Sequence, residues 1–173
     1  MGTILPILGP IITCAAVIGI VFAVRSILKE RRRDEFNTKT ARIWRFIIIL
    51  CVPLAILSWL FNMGWLRVIL TVSALPLIHT LFFLLVNIKA TGCVVTSKTM
   101  PKYILLSCAS YLLSNFLFPD AGDYGPMYLF FGLIRNDAVA SVAMCIAPLM
   151  LVFNILILIC EYSKLRSFKS ENE

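Results

Sequence analysis

His79 is the only histidine in the chain, and it falls near the middle of a long apolar run. An ionisable ring at that depth is costly in hydrocarbon and is a functional candidate by default. Ser73, Pro76, Thr80 and Asn87 stand at i, i+3, i+7 and i+14, one helix face that His79 borders. A polar stripe on a membrane helix has to face protein or water. Ser73, His79, Thr80 and Asn87 therefore suit one of two roles. They line a path for a proton or small solute, or they bond neighbouring helices at about 0.6–2 kcal/mol per hydrogen bond.

Partners for such bonds stand in two other apolar runs. Ser107, Ser110 and Ser114 repeat at i, i+3 and i+7 with Asn115 alongside, and Asn154 sits deep in the last run. No Asp, Glu, Lys or Arg falls deep in any run, which argues against an ion-coupled pump. Pro53, Pro76 and Pro148 lie near the middle of theirs, where each frees a carbonyl and can kink a helix.

The remaining chemistry is sparse. Asp120, Asp123 and Asp137 are acids in the region 119–137, but their spacing matches no cation-binding loop. The same region carries Tyr124, Tyr128, Phe130 and Phe131, an aromatic group that reads as an interfacial anchor or a protein contact surface. None of the six cysteines forms a Cys-x-x-Cys pair, so they read as small buried hydrophobes. There is no phosphate-binding glycine loop, His-Glu-x-x-His or Gly-x-Ser-x-Gly motif. The expectation is no catalytic residue, no metal and no cofactor.

These residues sit in a chain that is 60% hydrophobic and 14% charged, with a mean hydropathy of +0.92 over 173 residues. A single soluble core of this size cannot bury so much apolar side chain, and disorder requires the opposite composition. The expected class is an all-α, polytopic integral membrane protein forming one membrane domain over 1–173. Apolar runs place five transmembrane helices at about 4–24, 46–61, 66–86, 103–118 and 138–160. The first reads as a retained span because no basic segment precedes it. Ala15, Gly19 and Ala23 put small residues on one of its faces, where another helix can approach closely.

Five spans place the connection 25–45, the connection 87–102 and the tail after Cys160 on one side. That side takes fourteen of the 16 basic residues; only Arg67 and Arg135 fall opposite. Basic loops stay in the cytoplasm, so the N-terminus is expected outside and the C-terminus inside. Arg31, Arg32 and Arg33 suit anionic lipid head groups at about 1 kcal/mol each, a better fit than nucleic acid for a loop with a span at either end. The stretch 127–134 is too short to cross and reads as an interfacial or re-entrant piece of the outer loop 119–137.

The leading expectation is a non-enzymatic protein of the cell inner (plasma) membrane, multi-pass. It would bind another membrane component as an accessory or immunity-type protein, or associate with itself. A small oligomeric transporter or channel built on the His79 stripe is the alternative, and a membrane enzyme acting on lipid is third.

Overall fold

A computed structural model describes residues 38–61, 65–118, 128–131 and 133–170, and these are mostly helical. Helix α1 covers Lys39–Phe61. Thr38 caps it, its hydroxyl oxygen accepting from the Ala41 amide at 3.3 Å. The sequence places this span at 46–61; the helix starts earlier because the cap lies before the apolar run begins. The predicted first span, with Ala15, Gly19 and Ala23, and the lipid-contact residues Arg31, Arg32 and Arg33 lie outside the described residues.

The expected third span at 66–86 is not one helix. It divides into α2, Trp65–Val72, and α3, Leu75–Ala90. Pro76 stands in the first turn of α3 rather than inside a continuous helix. It has no amide proton to continue the ladder, and inside a continuous helix its ring would clash with the carbonyl four residues earlier. Ala74 at the break takes a left-handed conformation, φ 57° and ψ 6°, which costs an L-residue roughly 1–2 kcal/mol. The Ser73 hydroxyl donates to the carbonyl oxygen of Leu70 at 2.6 Å, so the break leaves that carbonyl satisfied.

A short 3₁₀ turn, Thr91–Cys93, leads toward α4, Met100–Phe116, which has Pro101 in its first turn. The last helix, α5, covers Asp137–Ser170 with Pro148 inside it. Asn136 caps α5, its Oδ1 accepting from the amides of Ala138 and Val139 at 3.0 and 3.2 Å. The sequence ends this span at Cys160, where the apolar run stops. The helix continues because no Gly or Pro follows, and because Leu158, Glu161 and Leu165 extend its inward face. At 34 residues it is roughly 51 Å long, well beyond a hydrocarbon core of about 30 Å.

Among the described residues three helical stretches are long and apolar enough to cross a membrane: Lys39–Phe61, Leu75–Cys93 and Asp137–Phe168. Helix α4 is packed among them and buries Met100, Ile104, Ser107, Cys108, Tyr111 and Ser114. Contacts between particular residues set the directions. Ser58 and Trp59 of α1 meet Asn115 of α4, so both C-terminal ends lie together. Thr80 and Asn87 of α3 meet Tyr111 and Ser107 of α4 in antiparallel order. Asn154 of α5 meets Ser107 and Ser110 at the middle of α4. One apolar core, including Ile48, Cys51, Phe83, Ile104, Cys108, Tyr111 and Leu158, fills the space between.

The segment read as interfacial or re-entrant is a small hairpin, β1 Tyr128–Leu129 against β2 Ile134–Arg135. It covers the bundle end with Leu129, 1% exposed, against Ala140 and Ala143. Phe130 and Phe131 are half-buried. Phe131 meets Phe116 at 5.1 Å and Phe61 at 6.3 Å between ring centroids, and Phe130 meets Phe116 at 5.9 Å. Of the aromatic group in this region, Phe130 and Phe131 thus pack partly against the bundle. The backbone of Tyr128 is in β1; Asp120, Asp123 and Tyr124 lie outside the described residues.

Candidate functional site

The polar residues of the apolar runs converge at mid-bundle. The Asn154 side chain is fully buried. Its Nδ2 donates to the Ser107 carbonyl oxygen at 2.7 Å and to Ser110 Oγ at 2.8 Å. A carbonyl can only accept, which fixes the orientation of the amide. Asn154 Oδ1 then faces His79 Nε2 at 2.8 Å, and that ring nitrogen must be the donor. In the neutral imidazole the proton sits on Nε2 and Nδ1 keeps a lone pair.

Two further bonds tie α3 to α4. Thr80 Oγ1 donates to the Pro76 carbonyl oxygen at 2.7 Å and lies 2.8 Å from Tyr111 Oη, so the tyrosine hydroxyl is the donor of the second bond. Asn87 Nδ2 donates to Ser107 Oγ at 2.8 Å and to the Phe83 carbonyl oxygen at 2.9 Å. Tyr111 also lies between rings, 4.1 Å from Phe83 in a near-parallel stack and 5.3 Å from His79. Three of the four stripe residues, His79, Thr80 and Asn87, thus meet other helices. Ser73 does not: it is exposed at the α2–α3 break.

Beside this network lies a cavity of about 320 Å³. Leu70, Pro76, Phe82, Leu151 and Ile155 make much of its wall, while Trp59, His79, Ser114 and Asn115 supply polar atoms. Most of those polar groups are engaged. Trp59 Nε1 donates to Asn115 Oδ1 at 2.8 Å, and Ser114 Oγ and Asn115 Nδ2 each donate to the Tyr111 carbonyl oxygen at 2.8 Å.

Two buried charged residues escape the sequence reading, which places no Asp, Glu, Lys or Arg deep in any run. Arg67 is 0% exposed. Its Nη1 donates to the Ser58 carbonyl oxygen at 2.5 Å, and its Nη2 donates to the carbonyl oxygens of Asn115, at 3.3 Å, and Phe118. Its guanidinium carbon lies 5.2 Å from the Trp59 ring centroid. These carbonyls belong to the C-terminal turns of α1 and α4 or follow them, where unpaired carbonyls and the negative dipole ends favour a cation. In the sequence Arg67, the second residue of the run 66–86, counts only as one of the two basic residues opposite the basic loops, and nothing there points to the carbonyls it meets.

Glu161 is also 0% exposed, and neither carboxyl oxygen has a hydrogen-bond partner among the described residues. The signal was its position, seven residues beyond Asn154 on the same helix face; ending the span at Cys160 concealed it. A buried polar group left unbonded costs roughly 1–3 kcal/mol. If the carboxyl has no other task, Glu161→Met raises stability by about that amount in thermal unfolding of the detergent-solubilised protein. A destabilised Glu161→Met protein would show that the carboxyl holds something in place.

Among the described residues no cluster of His, Cys, Asp and Glu is arranged to hold a metal ion. No family model, curated protein or solved structure matches this chain.

Proposed function

We propose that this chain is a non-enzymatic, multi-pass protein of the cell inner membrane that works by contact with another membrane component, as an accessory or immunity-type protein does. The supporting observation is that the polar side chains inside the bundle bond mainly to one another across the helices. His79 bonds Asn154, Asn154 bonds Ser107 and Ser110, Thr80 bonds Tyr111, and Asn87 bonds Ser107. Groups paired in this way hold helices together and offer no continuous run of open sites to a permeating ion. Large apolar side chains instead face outward along α1 and α5, among them Phe46, Leu60, Val142, Leu149 and Leu156. In a bilayer such faces meet lipid tails or an apolar partner helix.

Five spans with the N-terminus outside belong to the same proposal. The helix directions support it. Lys39, Arg42, Lys89, Lys102, Lys164 and Arg166 come at one end of the bundle, and Arg67 and Arg135 come at the other. The 17 residues of α4 reach only about 25 Å, so the turns flanking it would complete that crossing. Capture of the C-terminally tagged chain in mild detergent tests the reading. A single stoichiometric membrane partner is expected, and recovery of the chain alone or only with itself would remove the foreign-partner form of the proposal.

A further inference from the structure

We propose that the cavity beside His79 binds a neutral, hydroxyl-bearing apolar molecule whose O–H donates to His79 Nδ1. The inference rests on the hydrogen-bond pattern within the bundle and not on the partner-contact reading. Because Asn154 takes its proton from Nε2, the neutral ring is left with an acceptor at Nδ1. Nδ1 has no partner among the described residues, yet it is not one of the fully enclosed polar atoms that lack one. The ring lines the cavity, so the cavity is where that lone pair can be met. Hydrocarbon supplies no donor, and an unmatched acceptor there is costly.

The other polar groups narrow the ligand further. The Trp59 and Ser114 donors are already committed within the bundle, so the wall has an acceptor to fill and little to offer a carbonyl. No Lys, Arg, Asp or Glu belongs to the lining, which leaves a charged head group without a counter-ion. The apolar wall requires a hydrocarbon or ring body. A volume of about 320 Å³ falls at the lower end of the roughly 300–1,000 Å³ of small-molecule sites. Two membrane sources carry this chemistry: the aliphatic alcohol of a glycerolipid and the phenolic hydroxyl of a quinol.

The test uses the full chain in nanodiscs, with empty discs subtracting partition into lipid. Binding of 1-decanol is compared with decyl methyl ether, and binding of a decyl-substituted quinol with its oxidised quinone. Within at least one pair the hydroxyl compound is expected to bind about tenfold more tightly, the worth of one hydrogen bond to a desolvated acceptor. The pair that shows the preference identifies the source. His79→Phe keeps a ring and removes the acceptor, and it should erase the preference. Leu151→Trp fills the cavity without touching any hydrogen bond of the network, and it should abolish specific binding while the protein stays folded. Equal binding within both pairs, no binding above empty discs, or a preference that survives either variant would overturn the proposal.

Discussion

Replacing Arg67 with Ala is expected to destabilise the bundle by about 3–5 kcal/mol. A hydrogen bond from a charged donor contributes roughly 1.5–3 kcal/mol, and this side chain reaches carbonyl oxygens of Ser58, Asn115 and Phe118 from two different nitrogens. Its loss strands carbonyls at the ends of two helices in surroundings that water reaches poorly. Arg67→Lys should recover less than half of the loss. One ammonium is a compact point charge and cannot reproduce a planar fork directed at both helices. Chemical unfolding in detergent micelles measures both variants. A loss below about 1 kcal/mol for Arg67→Ala would mean that this end of the bundle is held by other contacts.

The second large effect is expected at Asn154. Asn154→Leu keeps side-chain volume and deletes three interhelical bonds, those to His79, Ser107 and Ser110. At a typical 0.6 kcal/mol and at most about 1.7 kcal/mol for each bond within a membrane, the expected loss is about 2 kcal/mol. Pairing it with His79→Phe makes a double-mutant cycle. The two losses should fall short of additivity by about 0.5–1 kcal/mol, because both remove the same bond. Strict additivity would contradict a direct His79–Asn154 interaction. Loss of a transport activity with no change in stability would favour the carrier reading of the stripe.

The residues that join the helices were legible in the sequence because polar atoms inside an apolar run have few alternatives. Asn87, Ser107, Ser110 and Asn154 had to meet something, and periodicity put each on a defined face. Periodicity could not say which faces would meet, so Tyr111, a half-polar residue that reads as ordinary core, was missed as the partner of Thr80. The break at Ser73–Ala74 was hidden for a related reason. No Asp, Glu, Lys or Arg interrupts 68–86, and Pro76, which lacks an amide proton, is the one residue there that cannot continue the ladder. Glu161 was missed because its span was ended at Cys160, and Arg67 because a basic residue at the start of its run was read only as a topology signal. Arg67 has carbonyls to neutralise at two helix ends, and Glu161 continues a helix that has no stop signal. The short segment 127–134 showed only that it could not cross as a helix, and not the hairpin that sets half-buried Phe130 and Phe131 against Phe116 and Phe61.

The central claim, that the chain acts through contact made by its outward apolar faces, is tested most directly by site-specific photo-cross-linking in living cells. A photoreactive residue is placed in turn at Leu60, Val142, Leu149 and Leu156, which are 59%, 59%, 65% and 54% exposed, and at buried Ile104 as a control. The account predicts that one contiguous set of outward positions, and not Ile104, yields a single protein adduct at near-stoichiometric level. Adducts to lipid alone from every outward position would contradict it.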